Sequence, residues 1–206
     1  MEVLLENISK KYFKEWIFKN LHFQFISKES YAVIGANGSG KSTFLQVIAG
    51  IIPPTSGKIN YRNTTVNIDN AHVYQYLSIV APYQSLIEEF TLKEMYEFHF
   101  SFKKKRCENI SFQTWLEELM LSKSANKSLA HFSSGMKQRV KLGLAFYSEN
   151  SLLLLDEPTS NLDSQGIDWY KVQVEKIKGK STLIICSNQI EEYEQCAQRL
   201  TITDWK

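Results

Sequence analysis

Three groups of residues in this chain have types and spacings that could do chemistry. Gly35, Asn37, Gly38, Ser39, Gly40, Lys41, Ser42 and Thr43 fall in a G-x-x-x-x-G-K-[ST] pattern. Glycines at such a loop let backbone N–H groups converge on phosphate oxygens without Cβ clashes, forming an anion nest. A helix opening near Lys41 adds its positive dipole end. In that nest Lys41 bridges the β- and γ-phosphates of a nucleotide, and the Ser42 hydroxyl ligates Mg²⁺. The second group is Asp156-Glu157 after the apolar run Leu152–Leu155, which puts two acids at the carboxyl end of a buried strand. Beside a phosphate nest, Asp156 reads as a partner of the Mg²⁺, reached through water. Glu157 reads as the base that orients and polarises an attacking water. The third group is Phe132–Arg139. Ser133 and Ser134 are good N-cap residues for an amphipathic helix with Met136, Val140 and Leu144 on one face. Taken alone, that segment is an ordinary capped surface helix.

The elements that must hold these groups follow from periodicity. Val3–Tyr12 and Trp16–Phe25 alternate apolar and polar residues as two antiparallel strands. Tyr31–Ile34 is a short apolar strand leading into the glycine-rich loop, and Thr43–Ala49 is a helix closed by Gly50. Lys58–Val66 and Leu77–Val80 read as strands. Thr91 and Glu94 have the spacing of a capping box, ahead of a helix through Leu92, Met95, Tyr96, His99 and Phe102. A further helix is expected over Phe112–Met120, and a crossover helix over Asp168–Lys178 between the strands Leu152–Leu155 and Thr182–Cys186. The pattern is an α/β P-loop core with an antiparallel β subdomain and an inserted helical subdomain. All 206 residues then form one domain, with the core at 1–84 and 151–206 and the helical part at about 85–150.

Composition narrows the class. The chain is 43% hydrophobic and 22% charged, which is globular usage. A formal charge of +2 gives no reason to expect a nucleic-acid partner, whose binders usually carry a basic surface stripe. Cys107, Cys186 and Cys196 lack paired or metal-ligand spacing and read as reduced thiols. No apolar run approaches the roughly 20 residues of a membrane helix, and a strand begins too close to Met1 for a signal peptide. Lys103–Arg106 reads as a solvated helix end. Tyr96 and Phe102 are assigned to the core, while Phe98 and Phe100 leave that face and could meet a partner.

Taken together, these segments resemble the ATP-binding subunit of ABC transporters over essentially the whole chain. Ser133–Arg139 is similar to that family's signature, usually Leu-Ser-Gly-Gly-Gln, with Ser134 and Met136 as departures. Ser160–Asp163 resembles its D-loop. The resemblance implies that two such subunits pack head to tail, each ATP lying between the cradle of one and the signature of the other. Ser133 and Gly135 would then serve the opposite subunit's nucleotide, and Asp163 the interface. It implies that Tyr12, or less favourably Trp16, stacks on adenine. Gln84, or Tyr83 in the neighbouring register, would sense the metal and touch a permease. Asn188 stands where the family usually has a switch histidine; it can donate a hydrogen bond but cannot carry charge. The expected function is Mg²⁺-dependent ATP hydrolysis powering a separate membrane permease, from the cytoplasmic side. A soluble non-transport ATPase and a weakly hydrolysing regulatory module remain as alternatives.

Overall fold

The chain builds two sheets that have no strand in common and pack against one shared hydrophobic core. In the computed structural model, which describes residues 1–64 and 66–206, β1 (Glu2–Tyr12), β2 (Glu15–Phe25), β4 (Ser56–Asn63) and β5 (Val66–Ile68) form an antiparallel sheet in the order β2-β1-β4-β5. The other strands are β3 (Ser30–Ile34), β6 (Leu77–Val80), β7 (Leu152–Asp156), β8 (Thr182–Ser187) and β9 (Gln198–Thr201). They form a parallel sheet in the order β6-β7-β8-β3-β9. The helices are α1 (Lys41–Ile48), α2 (Leu92–Phe102), α3 (Phe112–Glu118), α4 (Ser134–Tyr147), α5 (Ser164–Ile177) and α6 (Ile190–Tyr193).

The period-2 geometry of a strand divides the parallel sheet between two cores. Leu152, Leu154, Ile184 and Cys186 join the core that holds α1 and the antiparallel sheet. Leu153, Leu155, Leu183 and Ile185 join the opposite core, with Trp115 of α3, Val140 of α4 and Trp169 of α5. All four leucines of β7 are fully buried, each contributing about 2 kcal/mol of apolar transfer energy. The strand is accordingly apolar up to its last residue, Asp156, where the acids begin.

Several boundaries differ from the sequence expectation for local reasons. Alternation in β1 breaks at Asn7, whose φ of 51° accompanies a register shift between Leu5 and Ile8. Lys58–Val66 is not one strand: β4 ends at Asn63, Thr64 has φ 56°, β5 begins at Val66, and residue 65 lies outside the described residues. Helix α1 opens at Lys41 rather than Thr43 because Gly40, at φ 104°, is its cap. Helix α5 opens at Ser164 rather than Asp168 because the Asp163 carboxylate accepts the Gly166 N–H. The capping box at Thr91 and Glu94 forms as expected.

The aromatic and basic residues around the end of α2 are also redistributed. Phe102 is 77% exposed, not core. Phe100 is partly buried with its ring 4.8 Å from that of Tyr96, whereas Phe98 is exposed as expected. The basic run is not simply solvated. Lys103 Nζ donates to the carbonyls of Tyr74 (2.7 Å), Gln75 (3.3 Å) and Leu77 (2.9 Å), tying α2 to the start of β6. Arg106 donates to Phe146 O (3.1 Å), Asn150 Oδ1 (2.9 Å) and Ser181 Oγ (3.0 Å), pinning the same segment to the β7 and β8 entries.

His99 lies in this seam, its Nε2 2.8 Å from Ser148 Oγ. Burial, helped by the nearby Lys103 charge, pulls its pKa down to about 4. The unfolded chain binds the proton more tightly, so His99 favours the native state above pH 6.5 and that contribution is lost as pH falls toward 4. The expected size is about 3 kcal/mol. Denaturant midpoints of wild type and His99→Gln at pH 7.5 and 4.5 check this. The variant should lose less stability between the two pH values, and equal losses would contradict the assignment.

Candidate active site

Open parallel sheets bind ligands beyond the carboxyl ends of their strands, and here four such ends bear the sequence-predicted residues. The 35–40 loop leaves β3, the 81–84 turn leaves β6, Asp156 and Glu157 end β7, and Asn188 follows β8. In the loop Ser39 N–H donates to Ala36 O (3.1 Å), and Gly38 and Gly40 have φ of 75° and 104°. A Cβ at Gly40 would lie 2.3 Å from Ile17 Cγ2, and one at Gly35 would lie 2.5 Å from Ser39 Oγ. Glycine is therefore favoured at Gly40 by its positive φ and by a β2 side chain, while at Gly35 a Cβ would force Ser39 and Ile202, the latter 2.9 Å away, to shift. Lys41 is buried, with Nζ donating to Gly35 O (2.8 Å) and Ala36 O (3.2 Å), so its charge is already aimed into the loop. The Ser39 hydroxyl is buried with no hydrogen-bond partner, while Ser42 is exposed and Thr43 half-buried in the first turn of α1.

Asp156 is buried, and neither carboxylate oxygen has a hydrogen-bond partner. Burial holds its pKa above the usual carboxylate range; Glu157 and Glu192 add to the rise, and Ser42 and Lys41 oppose it. A buried carboxylate with two unpaired hard oxygens beside a serine hydroxyl and a lysine suits a hydrated Mg²⁺. Among the described residues no cluster of three His, Cys, Asp or Glu could cage a metal. Ser42 and Asp156 would thus hold Mg²⁺ together with phosphate oxygens, and the ion would neutralise phosphate charge. Glu157 stands at φ 44°, a left-handed backbone that costs a non-glycine residue about 1–2 kcal/mol. Its N–H donates to Cys186 O (2.9 Å) and its carbonyl accepts from Ser160 N–H (3.1 Å), which hold that conformation.

Two other predicted residues are placed differently from one another. Asn188 Nδ2 donates to Asn37 Oδ1 (2.9 Å), so the residue after β8 touches the phosphate loop directly. Gln84 turns back on its own loop. Its Oε1 accepts from Ala81 N–H (3.0 Å), and its own N–H donates to Ala81 O (3.1 Å). Tyr83 is the residue of that turn whose hydroxyl meets the Gln46 side chain and lies in the field of Asp156. No sequence signal separates the two; the turn geometry does. Tyr12 and Trp16 sit at the exposed end of the β1–β2 hairpin, which meets the cradle through the Ile17–Gly40 approach. Lys10 lies 5.2 Å from the Tyr12 ring, and Lys11 lies 5.1 Å from the Trp16 ring.

The Ser133 segment forms a second, separate recess. Ser133 caps α4, its Oγ accepting from Met136 N–H (3.2 Å). A Cβ at Gly135 would lie 2.6 Å from Asn161 O, so glycine permits the helix start to rest on the 160–163 loop. Two residues of the segment that carried no assigned role fasten that contact. Gln138 Nε2 donates to Pro158 O (2.7 Å), and Arg139 pairs with Asp163. The Gly166 N–H and Arg139 hold the Asp163 carboxyl below its usual range. The resulting cavity, about 690 Å³, is lined by Ser133, Ser134, Gly135, Met136, Asn161 and Asp163 on one side and the 120–124 segment on the other.

Comparison with known proteins settles the family. A family model described as ABC transporter matches residues 18–160. The chain belongs to the ABC transporter family. Among curated ABC relatives, the linearmycin resistance ATP-binding protein LnrL of Bacillus subtilis is 32% identical. The Nod factor export ATP-binding protein I of Rhizobium johnstonii is 30% identical. Each alignment covers 97% of this chain, which spans 65% of the length of each relative. Among solved structures, an ATP-binding subunit of an ABC transporter aligns with a TM-score of 0.81 at 24% identity, over 98% of this chain and 86% of that one. A dimeric post-hydrolysis ATP-binding cassette bound to ADP and Pi aligns at TM-score 0.80 and 24% identity, over 97% and 94%. The ABC cassette fold, with its parallel core and antiparallel sheet, is thus the fold of this chain. Among the described residues, no helix is long and apolar enough to cross a membrane.

Proposed function

We propose that this chain is the ATP-hydrolysing subunit of an ABC transporter, working as a pair with a second ATPase subunit and docked on a separate membrane permease at the cytoplasmic face. Residues 1–206 act as one ATPase domain, with the helical part at about 85–150 facing the permease. The cradle from Gly35 to Thr43 takes the phosphates, Tyr12 the adenine, and Ser42 and Asp156 the Mg²⁺. Glu157 orients and deprotonates the water, Asn188 supports the γ-phosphate end, and the 83–84 turn reports on the site. Ser133 and Gly135 serve the nucleotide held by the other subunit, with Asp163 at the junction. Hydrolysis then gates opening of the pair.

The observation that carries this reading is the separation of its two halves. Among the described residues, none from the 35–43 cradle lines the 690 Å³ recess at Ser133 and Gly135. A single chain therefore offers one cradle and one capped helix that do not meet, and two copies head to tail would complete two sites. The relatives, a resistance and an export ATP-binding protein, support a transport role.

The test is the dependence of turnover on protein concentration. ATP turnover per chain should rise with chain concentration and level off once pairs form. Turnover per chain that is constant down to concentrations where sedimentation shows only monomer would contradict the composite site.

A further inference from the structure

Glu192 is a buried acid that no step above employs. It is 2% exposed and, among the described residues, has no cationic partner. Its Oε1 accepts both the Thr159 N–H (2.8 Å) and the Thr159 hydroxyl, and its Oε2 is buried without a partner. Its carbonyl accepts the Tyr170 hydroxyl at 2.8 Å and its N–H donates to Gln189 O at 3.1 Å, so α6 itself is firmly held.

Thr159 stands two residues after Glu157, in the loop that must sustain the left-handed φ of 44° at Glu157. Strained backbone persists only where its surroundings over-determine it. That loop is gripped from three sides: Gln138 holds Pro158 O, the Glu157 N–H bonds Cys186 O, and Glu192 holds Thr159. Two of these grips come from the chain around Asn188, with Cys186 two residues before it and Glu192 four after, and of the two only Glu192 acts through its side chain. A buried acid with one oxygen left unpaired is a costly way to hold a loop.

We infer that Glu192 is a positioning residue for hydrolysis, coupling the loop of Glu157 to the Asn188 end of β8 through its bonds to Thr159. This rests on the proposed roles of Glu157 and Asn188. Displacing a catalytic group by about 1 Å can cost on the order of 10²-fold in rate.

The experiment compares steady-state ATP turnover of wild type, Glu157→Gln, Glu192→Ala, Glu192→Gln and Thr159→Val. Glu192→Ala, which removes the acceptor, should lower kcat at least ~10-fold with KM for ATP held within about twofold. Glu192→Gln keeps the Oε1 acceptor and should stay within about threefold of wild-type kcat. Should Glu192→Ala fail to fold, Thr159→Val tests the same link, with kcat falling at least ~3-fold at unchanged KM. Wild-type kcat in Glu192→Ala, or in Thr159→Val where that stands in for it, would overturn the inference, as would Glu192→Gln as impaired as Glu192→Ala. Turnover indifferent to Glu157→Gln would instead overturn the hydrolytic reading beneath it.

Discussion

Glu157→Gln is expected to lower steady-state ATP turnover by at least ~10²-fold, the range for losing a positioned general base. ATP affinity should stay within about threefold, because the phosphates are held by the cradle and not by this side chain. The geometry motivates both halves of the expectation. Glu157 follows the fully buried β7, and its N–H is tied to Cys186 O at 2.9 Å. Neighbouring Asp156 supplies an unpaired carboxylate. An amide at position 157 keeps the shape and backbone but cannot take the proton of an attacking water. Turnover measured beside equilibrium binding of a fluorescent ATP analogue separates the two quantities. Turnover within severalfold of wild type would remove Glu157 from the mechanism.

The second large effect concerns the Ser133 end. Ser133→Asp should also reduce turnover at least ~10²-fold while leaving ATP binding to the monomer unchanged, by the reasoning used for lost transition-state contacts. Aspartate is as good an N-cap as serine, so α4 keeps its start. The substitution instead puts a carboxylate where the helix N-terminus faces the recess, and there it would repel a triphosphate brought by another subunit. Thermal unfolding should therefore be nearly unchanged. Loss of activity accompanied by loss of folding would point to the cap, and full activity would show that no phosphate approaches this helix.

How much of this was legible in the sequence depends on how far each contact reaches along the chain. The phosphate loop, the capping box at Thr91 and the acids after Leu152–Leu155 are local patterns, and the fold keeps each of them. The residues that depart from their local pattern are governed by distant or angular detail. Arg106 bonds Asn150 and Ser181, 44 and 75 residues away, so its basic run looked like a solvated helix end. Phe102 follows helical spacing from Leu92, yet α2 stops there as Lys103 reaches for the carbonyls of Tyr74, Gln75 and Leu77, leaving the ring in solvent. The different placements of the Tyr83 and Gln84 side chains come from one tight turn closed by Ala81 and Gln84, which no spacing encodes. The bulge at Asn7 and the strain at Glu157 likewise leave no compositional mark.

The central claim, that a working site is made of one chain's cradle and another chain's capped helix, is tested most directly by mixing two defective proteins. Lys41→Ala removes the cradle's charge but leaves the Ser133 recess, and Ser133→Asp does the reverse. Each should be nearly inactive alone. Mixed in equal amounts, half the pairs would contain one intact composite site out of two. Turnover should then recover to about a quarter of the wild-type value if the two sites work independently. A mixture as inactive as its components, under conditions where mixed pairs are shown to form, would contradict the account.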